Sequence, residues 1–274
     1  MGIPPNLFVR SLSAFAYVII LLGTLLAGPW WFFAFLLFVS TGSVFELMNM
    51  MKVKGNQLPV FFLHLINLLT VSLSFLTAKG SLDYPWLALF IPFFFLLFLA
   101  ELFKTNPKPF AELPSALMVV IYATLPFAFA AQLVFVNHHY HFEYLLGSIF
   151  MIWANDTFAY FAGSVFGKHK IMERVSPKKT YEGLAGGILG VSVLAWFMSD
   201  LLWWGSKTDW MVIGLLVSLM GTLGDFVESL FKRDAGVKDS GKIMPGHGGF
   251  LDRLDSFIFV LPFIFTYLVI AGKL

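Results

Sequence analysis

The sequence predicts an all-α, polytopic membrane helix bundle with about nine transmembrane spans, on three observations. First, 58% of its 274 residues are hydrophobic and only 12% are charged, against about 25% charged in soluble domains. Second, the mean hydropathy is +0.81, more apolar surface than one water-soluble core of this size can bury. Third, the apolar residues gather into runs close to the ~20 residues that a helix needs to cross a hydrocarbon core.

In order, the runs are 10–28, 30–50, 59–78, 85–103, 113–135, 145–167, 183–204, 210–231 and 255–272. Irregular backbone facing lipid would leave N–H and C=O groups unpaired, so each run is expected to be helical. Gly28-Pro29, Gly55, Gly80, Pro107, Gly205 and Gly236 punctuate the ends. Pro126 lies inside the fifth run and predicts a kink. The first run reads as a retained anchor, not a cleaved signal peptide, because its flank is weakly basic and a second run follows at once.

Nine spans place the connections alternately on two sides. One side collects Arg10, Lys52, Lys54, Lys104, Lys108, Lys168, Lys170, Arg174, Lys178, Lys179, Lys232, Arg233, Lys238, Lys242 and Arg253, fifteen of the 18 basic residues. The other holds Lys79, Lys207 and Lys273. Basic loops stay cytoplasmic, so the N-terminus is expected in the cytoplasm and the C-terminus outside it. A compact chain without an organelle signal fits a bacterial inner membrane. The chain has no cysteine, which excludes disulfides, thiolate catalysis and Cys-ligated zinc. A net charge of +2 is too small to point to nucleic acid.

Two parts are expected. Residues 1–140 hold five nearly uniform apolar spans, suited to packing, lipid access and dimer contacts. Residues 141–274 hold four spans and two unusual basic loops, and carry the chemistry. One loop runs from Lys168 to Gly183, the other from Lys232 to Arg253 with Gly236, Gly241, Gly246, Gly248 and Gly249. Lysines and arginines among glycines suit a polyanion, because backbone N–H groups can approach phosphate oxygens. The plainer reading of such loops is topology alone.

Asp225, Glu228, Ser229 and Lys232 fall at i, i+3, i+4 and i+7, one face of a helix. Asp252 and Asp255 share a face at the start of the last span. Asp225, Asp252 and Asp255 together would form a hard-oxygen site of the kind Mg²⁺ favours. In the simpler alternative Asp252 caps the helix, Asp255 sits in its first turn and Asp225 pairs with Lys232 or Arg233. Asp156 and Tyr160 are i, i+4 neighbours inside the sixth run, either lining a functional cavity or forming a helix–helix hydrogen bond. Residues 236–242 almost spell a phosphate-binding loop, but Ile243 stands where Ser or Thr must bind the metal. His138, His139 and His141 read as a polar loop, and His64 and Asn67 as interhelical hydrogen-bond partners.

Ser229-x₂-Lys232-Arg233-x₄-Lys238-Asp239-x-Gly241-x₃-Pro245-x-His247-Gly248-Gly249-x₂-Asp252-Arg253-x-Asp255 resembles the signature of the phosphatidate cytidylyltransferases, with Met244 the one departure. Asp156, Ala159-Tyr160 and Gly163, then Ser176-Pro177-Lys178-Lys179-Thr180 and Glu182-Gly183, resemble a second motif of that family. The resemblance implies that CTP and phosphatidic acid give CDP-diacylglycerol and pyrophosphate, in a homodimer. It implies Mg²⁺ at Asp225, Asp252 and Asp255, with a second cation. Lys178, Lys179, Lys232, Arg233 and Arg253 would hold phosphates, and His247, Gly248 and Gly249 would shape the nucleotide loop. Ser176, Ser229, Lys238 and Asp239 would contact substrate, and Asp156 and Tyr160 would line the way in for the lipid headgroup. The alternatives are a CTP-dependent lipid-alcohol kinase and an ion-coupled transporter using Asp156, Asp225 and Glu228.

Overall fold

The computed structural model describes residues 5–51, 57–102, 109–241, 243 and 248–274. Among the described residues ten α-helices follow one another: α1 (Pro5–Ala27), α2 (Pro29–Met50), α3 (Gln57–Ala78), α4 (Phe90–Leu102), α5 (Leu113–Ala123), α6 (Leu125–Leu133), α7 (Glu143–Phe166), α8 (Tyr181–Leu202), α9 (Lys207–Ala235) and α10 (Leu251–Ile270). Each apolar run of the sequence is helical. By length and composition, six helical segments among the described residues can cross a membrane: 29–50, 60–78, 110–133, 181–202, 207–235 and 251–270. The protein is thus an all-α membrane protein.

The expected kink at Pro126 is a junction between α5 and α6, with Thr124 hydrogen-bonded to both. Thr124 has φ −119°, and Pro126 stands in the first turn of α6, where its missing N–H costs no hydrogen bond. Two short hairpins escaped the sequence reading. β1 (Phe135–Val136) pairs with β2 (His139–Tyr140), and β3 (Lys170–Met172) pairs with β4 (Ser176–Thr180), both antiparallel. In the first hairpin His138 bonds the Ala78 carbonyl at 3.0 Å, while His141 stacks on Trp204. Asn67 donates across to Ser40 on α2 at 3.1 Å, as expected of an interhelical partner.

One continuous core joins both parts of the chain, from Leu25 and Phe32 to Leu254 and Ile264. Outside it, Phe38, Phe161, Val165 and Leu189 are all exposed. Such side chains would be costly in water and are at home against lipid tails. Against this packed background α10 lies beside α9 and also touches α6 and α2, so the start of α10 belongs to both parts.

Candidate functional site

The site begins with the length of α9. Ser206 and Asp209 form a reciprocal capping box at its start. Gly236, at φ +71°, stops it in the left-handed conformation that glycine adopts without strain. Between them the last turns of α9 carry Asp225, Glu228, Ser229, Lys232 and Arg233. Gly224 lets α10 come close: a Cβ there would lie 2.6 Å from Phe259 Cβ and 2.8 Å from the Asp255 carbonyl. Ser256 Oγ then donates to the Gly221 carbonyl at 3.1 Å. The close crossing sets Asp255 beside Asp225.

Two acidic clusters result. In the first, Lys179 Nζ from β4 is 2.6 Å from Asp225 Oδ2, and Ser229 donates to Asp225 Oδ1 at 3.2 Å. The charges of Asp225, Asp156 and Lys179 all act on Asp255. In the second, Lys232 lies 2.5 Å from Glu228 Oε2 and donates to Asp252 Oδ1 at 2.8 Å. The other Asp252 oxygen accepts from Ser240 N–H (2.7 Å) and Gly249 N–H (2.9 Å). Glu228 and Asp252 are deeply buried, with side chains 1% and 6% exposed, so Lys232 is a desolvated cation shared by two anions.

Two cavities flank these clusters. One, of about 400 Å³, is lined by Asp156, Tyr160, Lys178, Lys179, Thr222 and Asp225 among others. Its wall on α7 continues into exposed Phe161 and Val165. The other, of about 690 Å³, is lined by Ser176, Lys178, Ser229, Lys232, Arg233 and Lys238 among others. Lys178 borders both. Thr180 accepts from Gly183 N–H at 3.1 Å to start α8, and Glu182 accepts from the Lys168 and His169 backbone, so the β3–β4 hairpin bearing the two lysines is tied at its base.

A model of the cytidylyltransferase family matches residues 8–271. The chain belongs to the cytidylyltransferase family. It is 34% identical over 271 residues to a protein of Staphylococcus aureus named phosphatidate cytidylyltransferase, across 95% of this chain and 98% of the relative. Proteins of the same name from Staphylococcus haemolyticus and Staphylococcus epidermidis are 34% and 33% identical, with the same coverage.

In this family member the residues singled out in the sequence fall into distinct places. Asp225 pairs with Lys179 instead of Lys232 or Arg233. Asp252 is not the cap of α10; it stands in the first turn and accepts from the Gly249 N–H ahead of the helix. Asp156 and Tyr160 line the smaller cavity. Arg233 and Lys238 line the larger one, while Asp239 is exposed beside Ser240. Arg253 lines a small recess with Tyr17 and Trp153. Gly248, at φ +84°, lies against Asp252 with no room for a Cβ. His247 lies outside the described residues. Among the described residues, no three His, Asp or Glu side chains already converge as a metal-ligand set.

The sequence reading missed Glu46. It sits in the apolar α2, 2% exposed, and accepts from Ser240 Oγ (2.9 Å), Phe250 N–H (2.9 Å) and Leu251 N–H (3.0 Å). A carboxylate inside an apolar span was the available signal.

Proposed function

We propose that this protein is a phosphatidate cytidylyltransferase, joining CTP to phosphatidic acid to give CDP-diacylglycerol and pyrophosphate. The carrying observation is the pair of cavities that meet at Lys178. One opens beside lipid-facing side chains and suits a phosphate on an anchored lipid. The other is lined by Lys178, Lys232, Arg233 and Lys238 and suits a soluble triphosphate. Both lie on the side to which the basic loops assign the cytoplasm. Nine spans, a cytoplasmic N-terminus and an exoplasmic C-terminus in a bacterial inner membrane complete the reading, and a homodimer is the proposed assembly.

No enzyme nucleophile is needed. A phosphatidate oxygen attacks the α-phosphorus of CTP, the bond to the β-phosphate oxygen breaks, and pyrophosphate leaves. The residues position two polyanions and offset their charge. Lys178 and Lys179 would hold the lipid phosphate, and Lys232, Arg233 and Lys238 the triphosphate, with Ser176, Ser229 and the Gly248-Gly249 backbone as further donors.

The donor chemistry fits Mg²⁺. Asp156, Asp225 and Asp255 offer only hard oxygens, and Lys179 pairs with Asp225. Asp225 and Asp255 would hold the ion, and Asp252 could join them only by releasing Lys232. When bound, Mg²⁺ would neutralise phosphate charge and assist departure of pyrophosphate.

The test is purified protein with phosphatidate and CTP labelled at either the α- or the γ-phosphate. Label at α should enter the lipid with equimolar pyrophosphate, and chelation by EDTA should stop turnover until Mg²⁺ is restored. Label entering from γ would assign a kinase instead. Substrate flux without CTP use would assign a transporter.

A further inference from the structure

Helix α10 starts without a cap of its own. Its N-cap residue, Phe250, makes no side-chain capping bond, yet a helix N-terminus exposes backbone N–H groups that need acceptors. Glu46 supplies them from another helix. Its Oε1 takes the Phe250 N–H and its Oε2 takes the Leu251 N–H. The same Oε2 accepts from Ser240 Oγ, whose backbone N–H holds Asp252. One carboxylate on α2 therefore ties Ser240, in the segment that connects α9 to α10, to the start of α10.

The fit is close on every side. A Cβ at Gly241 or Gly249 would collide with the Glu46 carboxylate, and a Cβ at Gly42, one turn earlier on α2, would collide with the Phe250 ring. Glycine at 241 and 249 lets the loop backbone lie directly on Glu46. Through Ser240 and Gly249, the position of Glu46 passes to Asp252 and from there to Lys232, which borders the basic cavity.

We infer that Glu46 is a positioning residue for the nucleotide side of the site. It acts as a cap supplied from the N-terminal part of the chain, and it fixes Asp252 and Lys232 where the triphosphate is received. This role rests on the proposed reaction.

The test uses the full chain in detergent, comparing Glu46→Ala, Glu46→Gln and, as a buried control elsewhere on α2, Ser40→Ala. Backbone hydrogen exchange across residues 236–252 is measured without substrate, alongside kcat and KM for each substrate. Glu46→Ala should speed exchange at Ser240, Phe250 and Leu251 at least tenfold, and raise KM for CTP about tenfold, with KM for phosphatidate within twofold. Glu46→Gln, which keeps the shape and one acceptor oxygen, should fall between, and it carries the test if the alanine variant does not fold. Ser40→Ala should change neither. Faster exchange with an unchanged KM for CTP would reduce Glu46 to a structural cap and overturn the inference. So would equal changes for both substrates, or unchanged exchange. Wild-type protein that left CTP unused would instead bring down the proposed reaction itself.

Discussion

The two ends of the α9–α10 pair make an instructive contrast, because each holds acidic side chains. At one end Asp209, 3% exposed, accepts from Ser206 N–H and Oγ and from Tyr267 OH, and pairs with Lys273 at 3.1 Å. Its oxygens are saturated, and no cavity described above reaches it. At the other end Asp225, its side chain 34% exposed, pairs with Lys179 and forms part of a cavity wall, with Asp255 beside it. Burial of an acid is therefore not what marks the functional end. What marks it is acid in excess of its partners, next to space for a ligand.

The largest effect should come from the unsaturated end. Asp225→Asn or Asp255→Asn should lower kcat by about 100- to 1,000-fold, in line with the loss of one preorganised electrostatic contact. Thermal unfolding should move little, because the cluster loses excess negative charge. Next, Lys232→Ala strands Glu228 and Asp252 as buried anions. It should cost about 3 kcal/mol of stability in a denaturation series, and it should weaken CTP binding as well. Asp209→Asn should do the reverse of Asp225→Asn. It should destabilise by about 1–3 kcal/mol through its stranded donors, with turnover per folded molecule unchanged. The smallest effect is expected of Lys238→Ala at the exposed rim. KM for CTP should rise about threefold at low salt, and the difference should shrink as ionic strength screens the charge.

Much of this contrast was legible in the sequence. The stop at Gly236 and the shared face of Asp225 and Lys232 follow from local spacing. Helical geometry from Leu251 onward also puts Asp252 and Asp255 three residues apart in one helix, as read. What spacing does not carry is choice of partner. Asp225 takes Lys179 from a hairpin 46 positions earlier in the chain, and that hairpin looked like plain loop because its strands are three and five residues long. Arg253 shares a motif with Asp252 but leaves the helix on another side. Glu46 was hidden most completely, since its partners lie 194 to 205 residues away. Periodicity reports which faces are buried, whereas tertiary packing decides which acids remain unpaired.

The most direct test is a single-turnover reaction with α-labelled CTP and phosphatidate, run side by side on Asp225→Asn and Asp209→Asn, with each rate corrected for folded protein. The account predicts that label transfer to lipid falls at least 100-fold in Asp225→Asn and stays within twofold of the parent in Asp209→Asn. Equal losses in the two variants, or full transfer by Asp225→Asn, would contradict it.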